Sequence, residues 1–423
     1  MYLAWYNTHK QTLVNFSWRL IQSIGKQGFT LFIFYISSIY LSQMEFGKYN
    51  YFLAIIYFFI LISDFGISFT VSKLVAELEP LEVVKKNQVL FNGISISLIM
   101  SFIVALVSII IVHIFFIEFI YFAIYGIFLL LVISIFSVLD GFHRGSKHFL
   151  FLAKSLILVF LLSLVPSLFL IKFYNIHGSF ISLILYYLLA CLLLSRKLKY
   201  YKTALDYSKI KEILRYSIIF GFMSIGYFLF SRVDILILGH FKYIQEIAVY
   251  EIINKIFLIA IFPVSIASQV VIPHFAKYLY EKRYNIIYSK LRVYFLLFMS
   301  GSMIFGVISY FILPLIFKIF FANYSISIFN NIFTIILLTY SLIFYSSVIN
   351  LIILLDRTFL KFSMYLNIII GLVNLLLSVI LLNYIGYFGA ILATLISTLM
   401  GIIVLHTRYF LNIRELANSE ENK

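Results

Sequence analysis

Twelve apolar runs, each of spanning length and parted by short polar turns, limit what this chain can fold into. They cover residues 13–41, 49–71, 89–116, 119–139, 149–171, 176–194, 213–238, 247–272, 293–316, 328–355, 359–382 and 386–405. A helix of about 20 residues crosses a hydrocarbon layer, so each run predicts one transmembrane helix. With 63% hydrophobic and 12% charged residues the chain has about half the charge of an average soluble domain, which excludes a soluble fold. No short apolar segment with a small-residue cleavage site stands near Met1, so the first run is expected to remain in the mature protein. The formal charge of +15 is dispersed over many short loops, a pattern that speaks for membrane orientation and against nucleic acid. Cys191 is the single cysteine and sits in an apolar run, where it packs as a small core residue.

The first run carries charge where charge is expensive. Asn15, Arg19, Gln22 and Lys26 follow one another at spacings of four, three and four, which places them on one face of the helix. Lys26 lies about 20 Å beyond Leu13, near the middle of the span. A cation at that depth costs about 2.5–3.5 kcal/mol on insertion scales, so it should face protein or a watery cavity. The second run returns Asp64 to a depth comparable with Arg19, which makes an Arg19–Asp64 ion pair the expected use of both. Lys26 has no acidic residue of obviously matching depth and is expected to await an anion, unless it snorkels or bonds to a backbone carbonyl.

Most loop lysines and arginines, among them Lys85, Lys86, Arg196, Lys197, Lys282 and Arg283, fall on the side of the N-terminus. Only Lys48, Lys172, Lys242 and Lys318 fall on the other. Both termini are therefore expected to be cytoplasmic. The basic stretch 195–211 divides the chain into an N-terminal six-helix lobe, 1–194, and a C-terminal one, 212–407, followed by a cytoplasmic tail, 408–423. The lobes echo each other: Glu45 to Tyr49 matches Glu246 to Tyr250, and Tyr174 to Ser179 answers Tyr384 to Ala390. Parallel repeats of this kind belong to transporters that rock two bundles about a central site.

Several motifs then occur in order: Arg19-Leu20-Ile21, Leu41-Ser42-Gln43-Met44-Glu45-Phe46-Gly47-Lys48-Tyr49, Asp64-Phe65-Gly66-Ile67, Gly141-Phe142-His143-Arg144-Gly145, Ser231-Arg232-Val233-Asp234 and Glu246-Ile247-Ala248-Val249-Tyr250. Together they resemble the O-antigen flippases of the multidrug/oligosaccharidyl-lipid/polysaccharide exporter superfamily, over essentially the whole chain. The resemblance implies an all-α integral membrane protein, with two six-helix lobes around a V-shaped central cavity as in the multidrug and toxin extrusion (MATE) transporters. It also implies alternating access and an undecaprenyl-diphosphate-linked oligosaccharide as cargo. The setting it implies is a bacterial inner membrane, with a polysaccharide polymerase and a chain-length regulator as working partners. Cavity cations on the first and eighth helices of related flippases correspond here to Lys26 and Lys255.

The residues themselves support a polar interior in the second lobe. Arg232 and Asp234 on the seventh helix stand at the depth of Glu251, Asn254 and Lys255 on the eighth. Arg19, Lys26, Arg232 and Lys255 form the candidate cationic site. Asp64, Asp234 and Glu251 are candidates either for coupling to a proton or Na⁺ or for internal ion pairs, such as Arg232 with Glu251 or Asp234 with Lys255. Asn367 and Asn374 lie in a small-residue stripe on the eleventh helix that can bond sugar hydroxyls or glue helices together. Neither a resident cofactor nor a metal is expected, because no phosphate-cradling glycine loop and no Cys/His ligand spacing occurs. The same absence predicts a protein that is not an enzyme, and no outer turn is large enough for a polymerase site. A MATE-type multidrug antiporter is the main alternative, though a cavity lined with cations suits cationic drugs badly. A lipid II flippase generally resembles a fourteen-span chain.

Overall fold

The computed structural model describes residues 2–79, 82–198 and 205–421. Within the basic stretch 195–211, residues 199–204 lie outside the described part. Every long element is helical: α1 (Tyr2–Tyr40), α2 (Gln43–Asp64), α3 (Ile67–Glu77), α4 (Val83–Phe115), a 3-10 turn (Ile117–Phe122), α5 (Ala123–Gly145), α6 (Phe149–Ser195), α7 (Tyr207–His240), α8 (Ile244–Tyr280), α9 (Tyr284–Phe320), α10 (Ile326–Ile353), α11 (Arg357–Ile385) and α12 (Tyr387–Glu421). Among the described residues, nine helices are long and apolar enough by length and composition to cross a membrane. The protein is a multi-pass membrane protein.

One of those helices is two passes. α6 has 47 residues, about 70 Å if straight, but Asn175 leaves the helical region at φ 49° and ψ −125°. A Cβ on Gly178 would stand 2.0 Å from the Leu170 carbonyl oxygen, so the chain doubles back here with its two arms in backbone contact. The same device joins α11 to α12: Gly386 has φ 63° and ψ −150°, and a Cβ on Gly389 would meet the Leu381 carbonyl carbon at 2.3 Å. Counting α6 twice, the broken pair α2–α3 once, and α1 and α8 beside the nine, the described helices number twelve. Helices overrun the apolar runs, as when α9 starts at Tyr284 rather than 293. Apolarity marks only the hydrocarbon depth, and backbone hydrogen bonding continues into the interface.

Two units divide at Ser224 and Ile225, within α7. In the first, α1 packs along α6, α5 touches α3, α4 and α6, and α2 lies on α4 and α5. The second run does not form one continuous helix. Phe65 and Gly66 both take left-handed backbone, φ 33° and 81°, and separate α2 from α3. Gly66 is required there, because a Cβ would lie 2.6 Å from that of Phe220. Glu45 closes a capping box with Ser42 at the start of α2, Oε2 accepting from the Ser42 amide at 3.0 Å. In the second unit α10 touches α8, α9 and α12, and α12 lies along α11.

Candidate functional site

In the first unit the polar face of α1 meets α5. Gly25 is pressed on the α6 backbone, where a Cβ would come within 2.9 Å of Leu156, and Phe29 stacks on Tyr186 at 4.1 Å. Anchored there, the helix sends its next face to α5: Gln22 Nε2 donates to Asp140 Oδ1 at 2.7 Å, and the Lys26 ammonium lies 5.1 Å from the centroid of Phe136. Arg144 follows Asp140 by one turn, with Nε 3.1 Å from Oδ2. Its angle falls outside hydrogen-bond geometry, so the contact is a charge pair. Phe136, Asp140 and Arg144 are four apart and thus form a second stripe facing the first.

Arg19 and Asp64 are not joined. The Arg19 guanidinium lies 5.7 Å from the Phe149 ring and is close enough to Arg144 and Asp140 to feel both charges. Asp64 accepts from the Ser68 amide at 3.2 Å and from the Ser68 hydroxyl at 2.9 Å, holding the first turn of α3. Matching depth suggested the pair, but depth carries no information about the backbone break beside Asp64, whose free amides claim the carboxylate. Lys26 has no carboxylate within ion-pair distance among the described residues, and what it meets is an aromatic face.

The second unit holds its charges differently. Arg232 Nη1 donates to Glu251 Oε1 at 2.9 Å, and Glu251 is 3% exposed. Asn254 also reaches this carboxylate, at 3.5 Å. Lys255 shares the electrostatic environment of Arg232 and Glu251. Asp234 is buried; the hydroxyls of Tyr250 and Thr394 donate to it, and so does the backbone amide of Ile235. Asn374 is fully buried. Its amide donates to the Phe230 carbonyl at 3.3 Å, while its Oδ1 accepts from Ser378 at 3.4 Å and Thr394 at 3.5 Å. Asn367 is half-buried beside Gly226, where α11 approaches α7 closely. The arrangement ties α7, α8, α11 and α12 into one network.

Asp140, Gln22 and Arg144 are the residues that site reasoning passed over. Gln22 was visible in the stripe of α1, and the spacing of Asp140 and Arg144 at the end of a span was a signal of the same kind. The glycines around them pack: Cβ atoms on Gly141 and Gly145 would come within 2.3 and 2.5 Å of the Ser68 and Ser72 carbonyl oxygens, so α5 lies on the backbone of α3.

Residues 12–279 match the profile of the polysaccharide biosynthesis protein family. The chain belongs to that family. The matched region holds both charge clusters and stops short of α11 and α12. Solved structures similar to this polysaccharide biosynthesis protein include an inward-facing multidrug resistance MATE family transporter of the MOP superfamily, at 14% identity and TM-score 0.63, covering 94% of this chain and 96% of that one. Also similar are the Vibrio cholerae MATE transporter VcmN in its bent form, at 13% identity and TM-score 0.57 over 95% and 97%, and an outward-facing MATE transporter of the MOP superfamily, at 16% and 0.54 over 94% of each chain. At these identities the likeness establishes the fold, which is that of the MATE transporters, as the sequence led one to expect. No curated protein sequence matches the chain.

Proposed function

We propose that this protein is a flippase that carries an undecaprenyl-diphosphate-linked oligosaccharide, such as an O-antigen or capsule repeat unit, from the cytoplasmic to the outer leaflet of the bacterial cytoplasmic membrane. Membership of a polysaccharide biosynthesis family on a transporter fold supports it. The observation that carries the anion site is Lys26, a cation deep in a span whose near neighbour is the Phe136 ring. Arg19 and Arg144 share one carboxylate close by, so the cluster has positive charge to spare. A diphosphate supplies the missing anion, and the polyprenyl tail stays in lipid. Substrate must interact with this cluster more strongly in one conformation than in the other, since only differential affinity shifts an alternating-access equilibrium.

Both termini would be cytoplasmic, and the partners would be the polymerase and chain-length regulator of the same synthesis. Of the three carboxylates suited to coupling, Glu251 is paired with Arg232 and Asp234 is held by Tyr250. Asp64 accepts from Ser68 and from the Gly66 amide but pairs with no cation among the described residues, and we take it as the carboxylate for a proton or Na⁺. The deciding experiment is translocation of a fluorescent undecaprenyl-diphosphate oligosaccharide in proteoliposomes, for the wild type and Lys26→Ala, with a cationic dye as competitor. Lipid movement that the variant loses and the dye ignores is the expected result. Dye transport without lipid movement would make the protein a multidrug antiporter with a structural Lys26.

A further inference from the structure

A crevice of about 400 Å³ opens in the second unit between α9, α10 and α12, and none of the residues assigned above lines it. Leu296, Ile349, Ile353 and Phe410 give it apolar walls, and Arg292 is the cation that lines it. Its volume is that of a ligand pocket, commonly about 300–1,000 Å³. His406 is also in the wall, but its ring nitrogens already meet the Tyr345 hydroxyl at 3.1 Å and Asn350 Oδ1 at 2.9 Å.

Arg292 stands where a lipid headgroup would meet it. α9 is about 55 Å long against about 30 Å of hydrocarbon, and Arg292 lies about 12 Å from its start, at the boundary of headgroup and tail. The α9 residues next to it, Val293 and Leu296, are 61% and 66% exposed, as lipid-facing residues are. No carboxylate pairs with Arg292 among the described residues; its guanidinium lies 5.7 Å from the Tyr288 ring. Lys290 and Arg408 likewise lie over rings, those of Tyr278 and Phe362, while the acids Glu281 and Glu420 at this end are already held by Arg283 and by the Asn285 amide.

We propose that the crevice binds an anionic glycerophospholipid of the surrounding leaflet, one acyl chain between α9, α10 and α12 and the phosphate on Arg292. The apolar walls accept any chain, and Arg292 makes the site select for a negative headgroup, since phosphatidylcholine brings a compensating cation. The site is independent of the transport reading, because it requires no cargo and shares no residue with the anion cluster.

The test is native mass spectrometry of the full chain released from bilayers of phosphatidylglycerol and phosphatidylcholine in equal amounts. The wild type should retain phosphatidylglycerol preferentially. Arg292→Gln should lower that retention about five-fold, Arg292→Lys should restore most of it, and Thr407→Trp, which fills the crevice, should remove retention of both lipids. Thermal unfolding of each variant in detergent checks that it folds. Equal retention of the two lipids by the wild type, or a preference unchanged in Arg292→Gln and Thr407→Trp, would overturn the proposal. So would displacement by undecaprenyl phosphate but not by phosphatidylglycerol, which would make the crevice a rest for the substrate tail.

Discussion

The two units answer the problem of charge inside a membrane in different ways. In the second, Arg232 and Lys255 face Asp234 and Glu251, and Tyr250, Asn254, Asn374 and Thr394 bond to the acids or extend the network across four helices. In the first, Arg19 and Arg144 lie by Asp140, Lys26 lies over Phe136 one turn away, and Asp64 is occupied by the α3 terminus. The elements there are held instead by close backbone approach at Gly25, Gly66, Gly141 and Gly145. A balanced network locks helices together, whereas a cluster with surplus cations keeps affinity for an anion. Similar helix counts thus frame an ion-paired network in one unit and, in the other, the cationic cluster proposed to take the anion.

The sharpest way to break this contrast is to unbalance the network. Glu251→Ala leaves the half-buried Arg232 without its carboxylate and should cost about 1–3 kcal/mol in unfolding measured in detergent, while replacing both partners by leucine should recover most of it. Equal stability of the single and the double variant would mean that the network does not lock the helices. The first unit should respond instead to bulk. Gly141→Leu forces a side chain into the Ser68 carbonyl and should cost about 1–3 kcal/mol, with no dependence on salt.

Lys26→Ala should then leave melting within about 0.5 kcal/mol of wild type and lower lipid translocation at least about ten-fold. Arg19→Ala should lower both transport and membrane abundance. A Lys26→Ala protein of full activity and normal abundance would remove Lys26 from the proposed anion site.

The smallest effect concerns pH. His148 lies outside the spans, in the turn between α5 and α6, with its Nδ1 3.2 Å from that of His143. Burial, then Lys197 and Lys86, push its pKa down to about 4, so the folded protein holds it neutral. Between pH 6.5 and about 4 the unfolded chain binds the extra proton, and stability should fall as pH drops through that window. The group is half exposed, so only a shallow slope is expected. His148→Gln should flatten it in melting curves taken at pH 7 and pH 5.

Much of this was legible beforehand. Apolar runs located the passes because hydrophobicity decides which segments enter a bilayer, and the reversal near residue 385 was placed by the gap between two such runs. At Asn175 the reversal falls between the runs 149–171 and 176–194, and only the structure shows that an asparagine takes the positive φ there. The periodicity of Arg19, Gln22 and Lys26 likewise described a polar face correctly. Its neighbour was beyond reach, because the period of one helix says nothing of which other helix it meets.

By itself, the sequence determined that the chain is an all-helical membrane protein with cations at unusual depth. All of that follows from local composition and period. The tertiary structure decided which charges meet. It brought Asp140 rather than Asp64 to the stripe of α1, and it joined Arg232 to Glu251 among the pairings that depth allowed. Pairing depends on where backbones can approach, which glycines such as Gly25 and Gly141 set, and on which carboxylates a broken helix has already claimed.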